Sequence, residues 1–194
     1  MVDTPEGIPH DLLNKAYCIV VIPSAKKAAL GLGARFGKGA AVCRTDRGDG
    51  PWGAPLMMSI GGGSFGLQIG GEAVDYIFVV MNTKGMNTLL KSKFTLGADC
   101  SIAAGPKGRT LEAATDAQMR AEILAYSRGR GVFAGIALEG AVLKQDKDAN
   151  VDLYGEGYGP KDILQSTHKK VPETAKAFVD ALQTASPHRV QSGN

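Results

Sequence analysis

Hydrophobic positions along the chain fall into short runs with a period of two, separated by glycine-rich or polar breaks. The densest example is Pro55 to Met81, two apolar runs joined by a segment holding Gly61, Gly62, Gly63, Gly66, Gly70 and Gly71. Ile60, Phe65, Leu67, Ile69, Val74, Tyr76, Phe78 and Val80 mostly alternate with small or polar residues, a strand pattern. Glycines inside such a pattern point to bulges, coiling or close backbone approach. The stretch therefore reads as the middle of a strongly curved antiparallel sheet.

The flanks supply its partners. His10 to Lys15 reads as a short helix, and Tyr17 to Ile22 as a buried strand ending at Pro23. Lys26 and Lys27 fall in a polar joint. Leu30, Leu32, Ala34 and Phe36 share one parity, and Gly37-Lys38-Gly39 reads as a tight turn into a strand over Ala40 to Thr45. Asp46 to Gly53 is a loop. Asn82 to Lys91 changes to helical spacing, capped by Asn82 or Thr83. Asp99 to Ala104 is a short strand. Residues 109–117 fit either helix or an extended joint. Met119 to Ser127 favours strand, turning at Arg128 to Gly131 into a strand over Val132 to Leu143. Helical turns follow at Ala149 to Tyr154 and Pro160 to Gln165. Pro172 to Thr184 is an amphipathic helix with Ala175, Phe178, Val179 and Leu182 on one face. The tail from Ser186 to Asn194 reads as disordered. The expected class is α+β: a single domain on a strongly curved, glycine-rich antiparallel β-sheet, barrel- or sandwich-like, with a few flanking helices.

Composition refines this picture. With 26 glycines and only 6% aromatic residues, the sheets must pack through small side chains. A net charge of +3 permits an anionic partner without demanding one, and no nucleic-acid-binding motif accompanies it. Cys18, Cys43 and Cys100 each sit in apolar, strand-like surroundings. Their odd number and the absence of C-x-x-C favour buried free thiols, with one bridge as the alternative. The opening residues carry no apolar signal region, and a chain starting after a removed export signal would read the same way.

Catalytic chemistry finds little to stand on. Gly61, Gly63 and Gly66 satisfy G-x-G-x-x-G, but the β-branched and aromatic residues that follow cannot supply the helix a pyrophosphate needs. Ser64 in G-G-S-F-G fails as a nucleophile elbow for the same reason, leaving a small hydrolase built on Ser64 as the weakest of three readings. Asp75, Asp99, Asp116 and Glu122 form no recognisable pair, and His10, His168 and His188 stand apart from the central pattern. The expectation is a non-enzymatic protein with no cofactor. Asp146, Asp148, Asn150 and Asp152 space oxygen ligands as an EF-hand loop begins, but Val151 stands where glycine is needed and Gly157 where the bidentate glutamate should be. These four are retained as a candidate cation site outside the EF-hand pattern.

Several strings in fixed order resemble a known family. They are IPHDLLNKAYCIVVIPSAKKAALGLGARFGKGAAVCR, GGGSFGLQIGGEAVDYIFVVMN, LGADCSIAAGP, EILAYSRGRGVFAGIALEGAVL and DANVDLYG. Together they resemble the SYLF domain over residues 7–155. A helical extension over 156–185 is expected to pack on it, ahead of a tail over 186–194. The resemblance implies a lipid-binding module, described as actin-binding in fungal endocytic relatives and recurrent in exported bacterial proteins. An amphipathic helix often precedes the family's Ile-Pro motif; this chain begins almost at that motif, so the helix is not expected within it. As a stand-alone chain it looks bacterial, peripheral to a membrane in the periplasm or cell envelope, with a cytoplasmic location as the alternative. The implied partners are anionic phospholipids or a membrane surface, or a protein partner, and no nucleic acid. The implied contacts are basic residues assigned to turns on one rim: Lys26, Lys27, Arg35, Lys38, Lys91, Lys93, Arg128 and Arg130, with Lys107 and Arg109 at a further turn.

Overall fold

The computed structural model describes residues 7–30, 32–65, 70–106, 118, 120–129, 132–136, 138–166 and 170–189. Among these residues nine strands and five α-helices follow one another as α1 (His10–Lys15), β1 (Cys18–Leu30), β2 (Leu32–Cys43), β3 (Leu56–Phe65), β4 (Gly70–Val80), α2 (Thr83–Leu89), β5 (Lys93–Thr95), β6 (Ile102–Ala104), β7 (Ile123–Gly129), β8 (Val132–Gly135), β9 (Val142–Gln145), α3 (Lys147–Tyr154), α4 (Pro160–Leu164) and α5 (Glu173–Ala185). The strands form a single sheet in the order β5-β9-β3-β2-β1-β4-β7-β6, with β8 also paired to β7. Every pairing is antiparallel except β6 with β7, so the sheet is mixed, and it curls into a half-barrel.

Curling gives the sheet an inner and an outer face, each with its own core. Inside pack Val20, Ile22, Leu56, Met58, Ile60, Phe78 and Val80, closed over by Met86 and Leu89 of α2. Asn82 caps α2 as expected, its Oδ1 accepting from Gly85 N at 2.9 Å. Outside, Ile19, Val42, Ile77, Val79 and Leu124 pack under Leu12 and Leu13 of α1 and Val179 of α5.

Several elements depart from the sequence reading. β1 does not end at Pro23. Its register with β2 and β4 slips by one residue between Ile22 and Ala25, with Ser24 at φ 49°. This is a β-bulge, and Asp75 Oδ1 holds it by accepting Ser24 N–H at 2.8 Å. Gly37-Lys38-Gly39 is no turn but the middle of β2. A Cβ on Gly39 would stand 1.9 Å from Val21 O, and one on Gly37 2.6 Å from Ile22 Cγ2, so the bulged strand crosses where only glycine fits. β7 starts at Ile123, later than expected, and Val132 to Leu143 is two strands rather than one. Residues 109–117 lie outside the described residues.

The tail and the cysteines also differ from expectation. Ser186 is buried, and its Oγ and carbonyl both accept from Arg44 Nη2. Cys18 and Cys43 are register partners on β1 and β2 and form a disulfide, leaving Cys100 as a buried free thiol. Spacing alone hides such a bridge, because it depends on which residues the register sets opposite.

Candidate functional site

The outer face divides into two halves. At the α1–α5 end it is apolar and covered. Arg44, 1% exposed, lies 4.2 Å from the Trp52 ring centroid and donates from Nε to Ala16 O at 3.2 Å. Trp52 Nε1 donates to Ser186 O at 2.9 Å. Burial, with the nearby Arg189 charge adding to it, lowers the Arg44 pKa to about 10. Arg189 donates from Nε to Gly48 O, pairs with Asp49 and stacks on Tyr17, binding the C-terminal segment to the loop after β2.

Beyond the β1 bulge the same face is bare at several of its described residues. Strand register sets Lys38 beside Ser59, Ser59 beside Lys144 and Lys144 beside Lys93, one transverse row across β2, β3, β9 and β5. At the usual spacing of neighbouring strands this row spans roughly 14 Å. The adjoining row sets Lys26 beside Phe36 and Phe36 beside Gly61. Phe36 is 54% exposed, and a Cβ on Gly61 would meet nothing within 4 Å, so open space lies next to the ring. Lys26, Lys38, Lys93 and Lys144 are all exposed. An exposed aromatic among ammonium groups on a rigid sheet matches a surface that is apolar just beneath an anionic layer.

The predicted contact residues separate on this geometry. Lys26, Lys38 and Lys93 share the bare outer half, and exposed Lys91 stands two residues before Lys93. Lys27 and Arg35 are register partners on the inner face, in line with Ala25 and Ala41 of the inner core. Arg35 Nε and Nη1 are buried without a hydrogen-bond partner among the described residues. Arg128 lies on the outer face of β7 opposite Asp75, away from the lysine row. Lys107, Arg109 and Arg130 lie outside the described residues. The basic residues of β1 and β2 thus sit within strands rather than on a rim of turns. Lys144 and Phe36 were missed; two-residue periodicity counted from Lys38 and Lys93 finds them only once the register is known.

The acidic candidates are otherwise employed. Asp146 is the N-cap of α3 and pairs with Lys38. The Asn150 amide makes both bonds to the Met57 backbone, accepting from its N–H at 2.8 Å and donating to its carbonyl at 3.0 Å. That amide docks α3 on β3 and is not free to hold a cation together with Asp148 and Asp152. Among the described residues no group of three or more His, Cys, Asp or Glu is placed to hold a metal. A cavity of about 230 Å³ lies between α3, α4 and β3, with Val151 and Tyr158 exposed beside it. Ser64 lies in β3 one residue before its end, not at a strand-to-helix corner.

The half-barrel thus presents exposed cations and an exposed ring on one face. The chain belongs to the family described as "Ysc84: Las17-binding protein actin regulator", whose profile matches residues 61–185, the SYLF domain of the resemblance above. It is 39% identical to an SH3 domain-containing protein of Schizosaccharomyces pombe over 82% of this chain and 37% of that protein. LAS seventeen-binding protein 3 of Saccharomyces cerevisiae is 32% identical over 96% of this chain and 40% of its own length. Human SH3 domain-containing YSC84-like protein 1 is 34% identical over 81% of this chain and 45% of its own length. The chain therefore spans less than half of each of these relatives. The yeast relative is named for binding, and the family description names an actin regulator.

Proposed function

We propose that the domain docks on anionic phospholipid surfaces through the bare half of its outer face. Phe36 enters the interfacial layer, and Lys26, Lys38, Lys93 and Lys144 meet the headgroups. The observation that carries this reading is the juxtaposition, across five strands, of an exposed ring and four exposed lysines beside an open glycine floor. Each lysine near an anionic bilayer contributes about 1 kcal/mol, within a Debye length of roughly 8–10 Å. The function is binding, without a chemical step.

Co-sedimentation with vesicles across a salt series tests it. The chain is expected to pellet with phosphatidylcholine vesicles containing phosphatidylglycerol, not with pure phosphatidylcholine, and to release as salt rises. Lys38→Glu with Lys144→Glu should abolish pelleting, and Phe36→Ala should weaken it at every salt concentration. Pelleting that ignores both changes would sink the proposal.

A second reading is favoured by the relatives' names: the same face captures an acidic protein surface. Loss of vesicle binding with retained, salt-sensitive capture of filamentous actin would select it.

A further inference from the structure

The bare half carries an anion of its own. Lys38 Nζ lies 2.7 Å from Asp146 Oδ2, and the Lys38 side chain is still 62% exposed. On β3, between β2 and β9, lies Ser59, register partner of both Lys38 and Lys144. Ser59 is 3% exposed, and its Oγ has no hydrogen-bond partner among the described residues. A buried hydroxyl left without a partner is a cost the fold does not usually carry.

The nearby carboxylate is engaged by other donors. Its Oδ2 is engaged by Lys38, and its Oδ1 accepts from Ala149 N–H at 3.4 Å as the α3 cap. The hydrogen bond from Lys38 comes first among the causes holding Asp146 below the usual carboxylate range; partial burial opposes it, and the Ala149 cap and the charges of Lys38 and Lys144 add to it. A tetrahedral oxyanion has more acceptor positions than a carboxylate and takes donors from several directions at once.

We infer that Lys38, Ser59 and Lys144 form an oxyanion subsite for a phosphate group, and that Asp146 is its resident competitor. The carboxylate neutralises Lys38 until a phosphate displaces it, so the subsite resists stray small anions and yields to a dense anionic surface. The subsite rests on its own donors; only the carrier of the phosphate, lipid or free, rests on the membrane reading.

Asp146→Asn is the test, because asparagine keeps the cap while losing the charge. Asp152→Asn, an exposed site on the same helix, makes the same change in net charge. The probes are inorganic phosphate, followed by the side-chain resonances of Lys38 and Lys144, and vesicles with and without phosphatidylglycerol. Asp146→Asn should bind phosphate and phosphatidylglycerol vesicles roughly two- to fivefold more tightly than the parent, the scale of losing one exposed ion-pair competitor. Asp152→Asn should gain clearly less, and Ser59→Ala should erase part of the Asp146→Asn gain. Equal gains in the two variants, or lysine resonances of Asp146→Asn that ignore phosphate, overturn the inference. Tighter phosphate binding by Asp146→Asn with no vesicle binding by any form upholds the subsite for free phosphate and removes the membrane reading. Vesicle binding identical in parent and Asp146→Asn does the reverse. Asp146→Ser, which also retains a capping oxygen, repeats the test if the asparagine variant folds poorly.

Discussion

The two halves of the outer face share strands and backbone but not chemistry. On β1 the outward residues pass from Ile19 and Val21 to Lys26, on β2 from Val42 to Lys38 and Phe36, on β4 from Val79 and Ile77 to Asp75, and on β7 from Leu124 and Tyr126 to Arg128. The change falls at about the same level on all four strands, next to the β1 bulge. One half accepts α1 and α5; the other presents exposed Lys26, Lys38 and Phe36 among the described residues. Stability is thus concentrated at one end, and the other end is left to carry polar and aromatic side chains at little cost to the fold.

Substitutions at the two ends should therefore separate folding from binding. The largest effect is expected at Trp52, which anchors Arg44 and Ser186: Trp52→Ala should cost about 3–5 kcal/mol and lower Tm by on the order of 10 °C, read by thermal unfolding. Replacing Cys18 and Cys43 together by alanine opens a cross-link with a sequence separation of 25. The loss should be about 2–4 kcal/mol in urea unfolding, and reductant should shift the parent but not the variant.

A smaller effect comes from alkaline pH. Burial pushes the Cys100 thiol up to about 11, and burial also raises Tyr126 and Tyr154. A pKa raised on folding contributes stability that is complete below the unfolded value, near 9 for the thiol, and lost as pH rises through the folded one. Urea midpoints should hold up to about pH 9 and then fall, less steeply in Cys100→Ala. Next, Arg35→Met should stabilise the fold by about 1 kcal/mol, since it removes buried guanidinium atoms that have no hydrogen-bond partner among the described residues; a loss of stability would show that Arg35 is satisfied in solution. The smallest stability change belongs to Phe36→Ala, within about 0.5 kcal/mol, although it should weaken vesicle binding the most of any single uncharged substitution. A Phe36 variant that unfolds the domain would erase the distinction between the halves.

Much of this architecture was legible in the sequence. Two-residue periodicity found β3 and β4, capping residues found α2, and the apolar face of Phe178, Val179 and Leu182 found the helix that covers the sheet. The sidedness of the basic residues was not legible. Val20 and Ile22 face inward, so simple alternation would send Lys26 inward too. The bulge inserts one residue and reverses the parity, which turns Lys26 out and Lys27 in. Proline at 23 ordinarily ends a strand, and glycines flanking Lys38 ordinarily make a turn, so local chemistry argued against the continuous strands that carry the site. The disulfide and the Lys144–Ser59–Lys38 row were hidden for a related reason. Both are properties of register, which no single segment contains.

The half-barrel never closes, and how it stops matters for a protein that would gather on a surface. Within the described residues the outermost strands are β5 at one side and β6 and β8 at the other, each of only three or four residues, while β3 beyond Gly61 and β4 before Asp75 are paired on one side only. Stubs of that length offer too few unpaired backbone groups to recruit a neighbouring sheet. Along those three strands, copies crowded side by side would then remain separate particles rather than fusing edge to edge into a fibre.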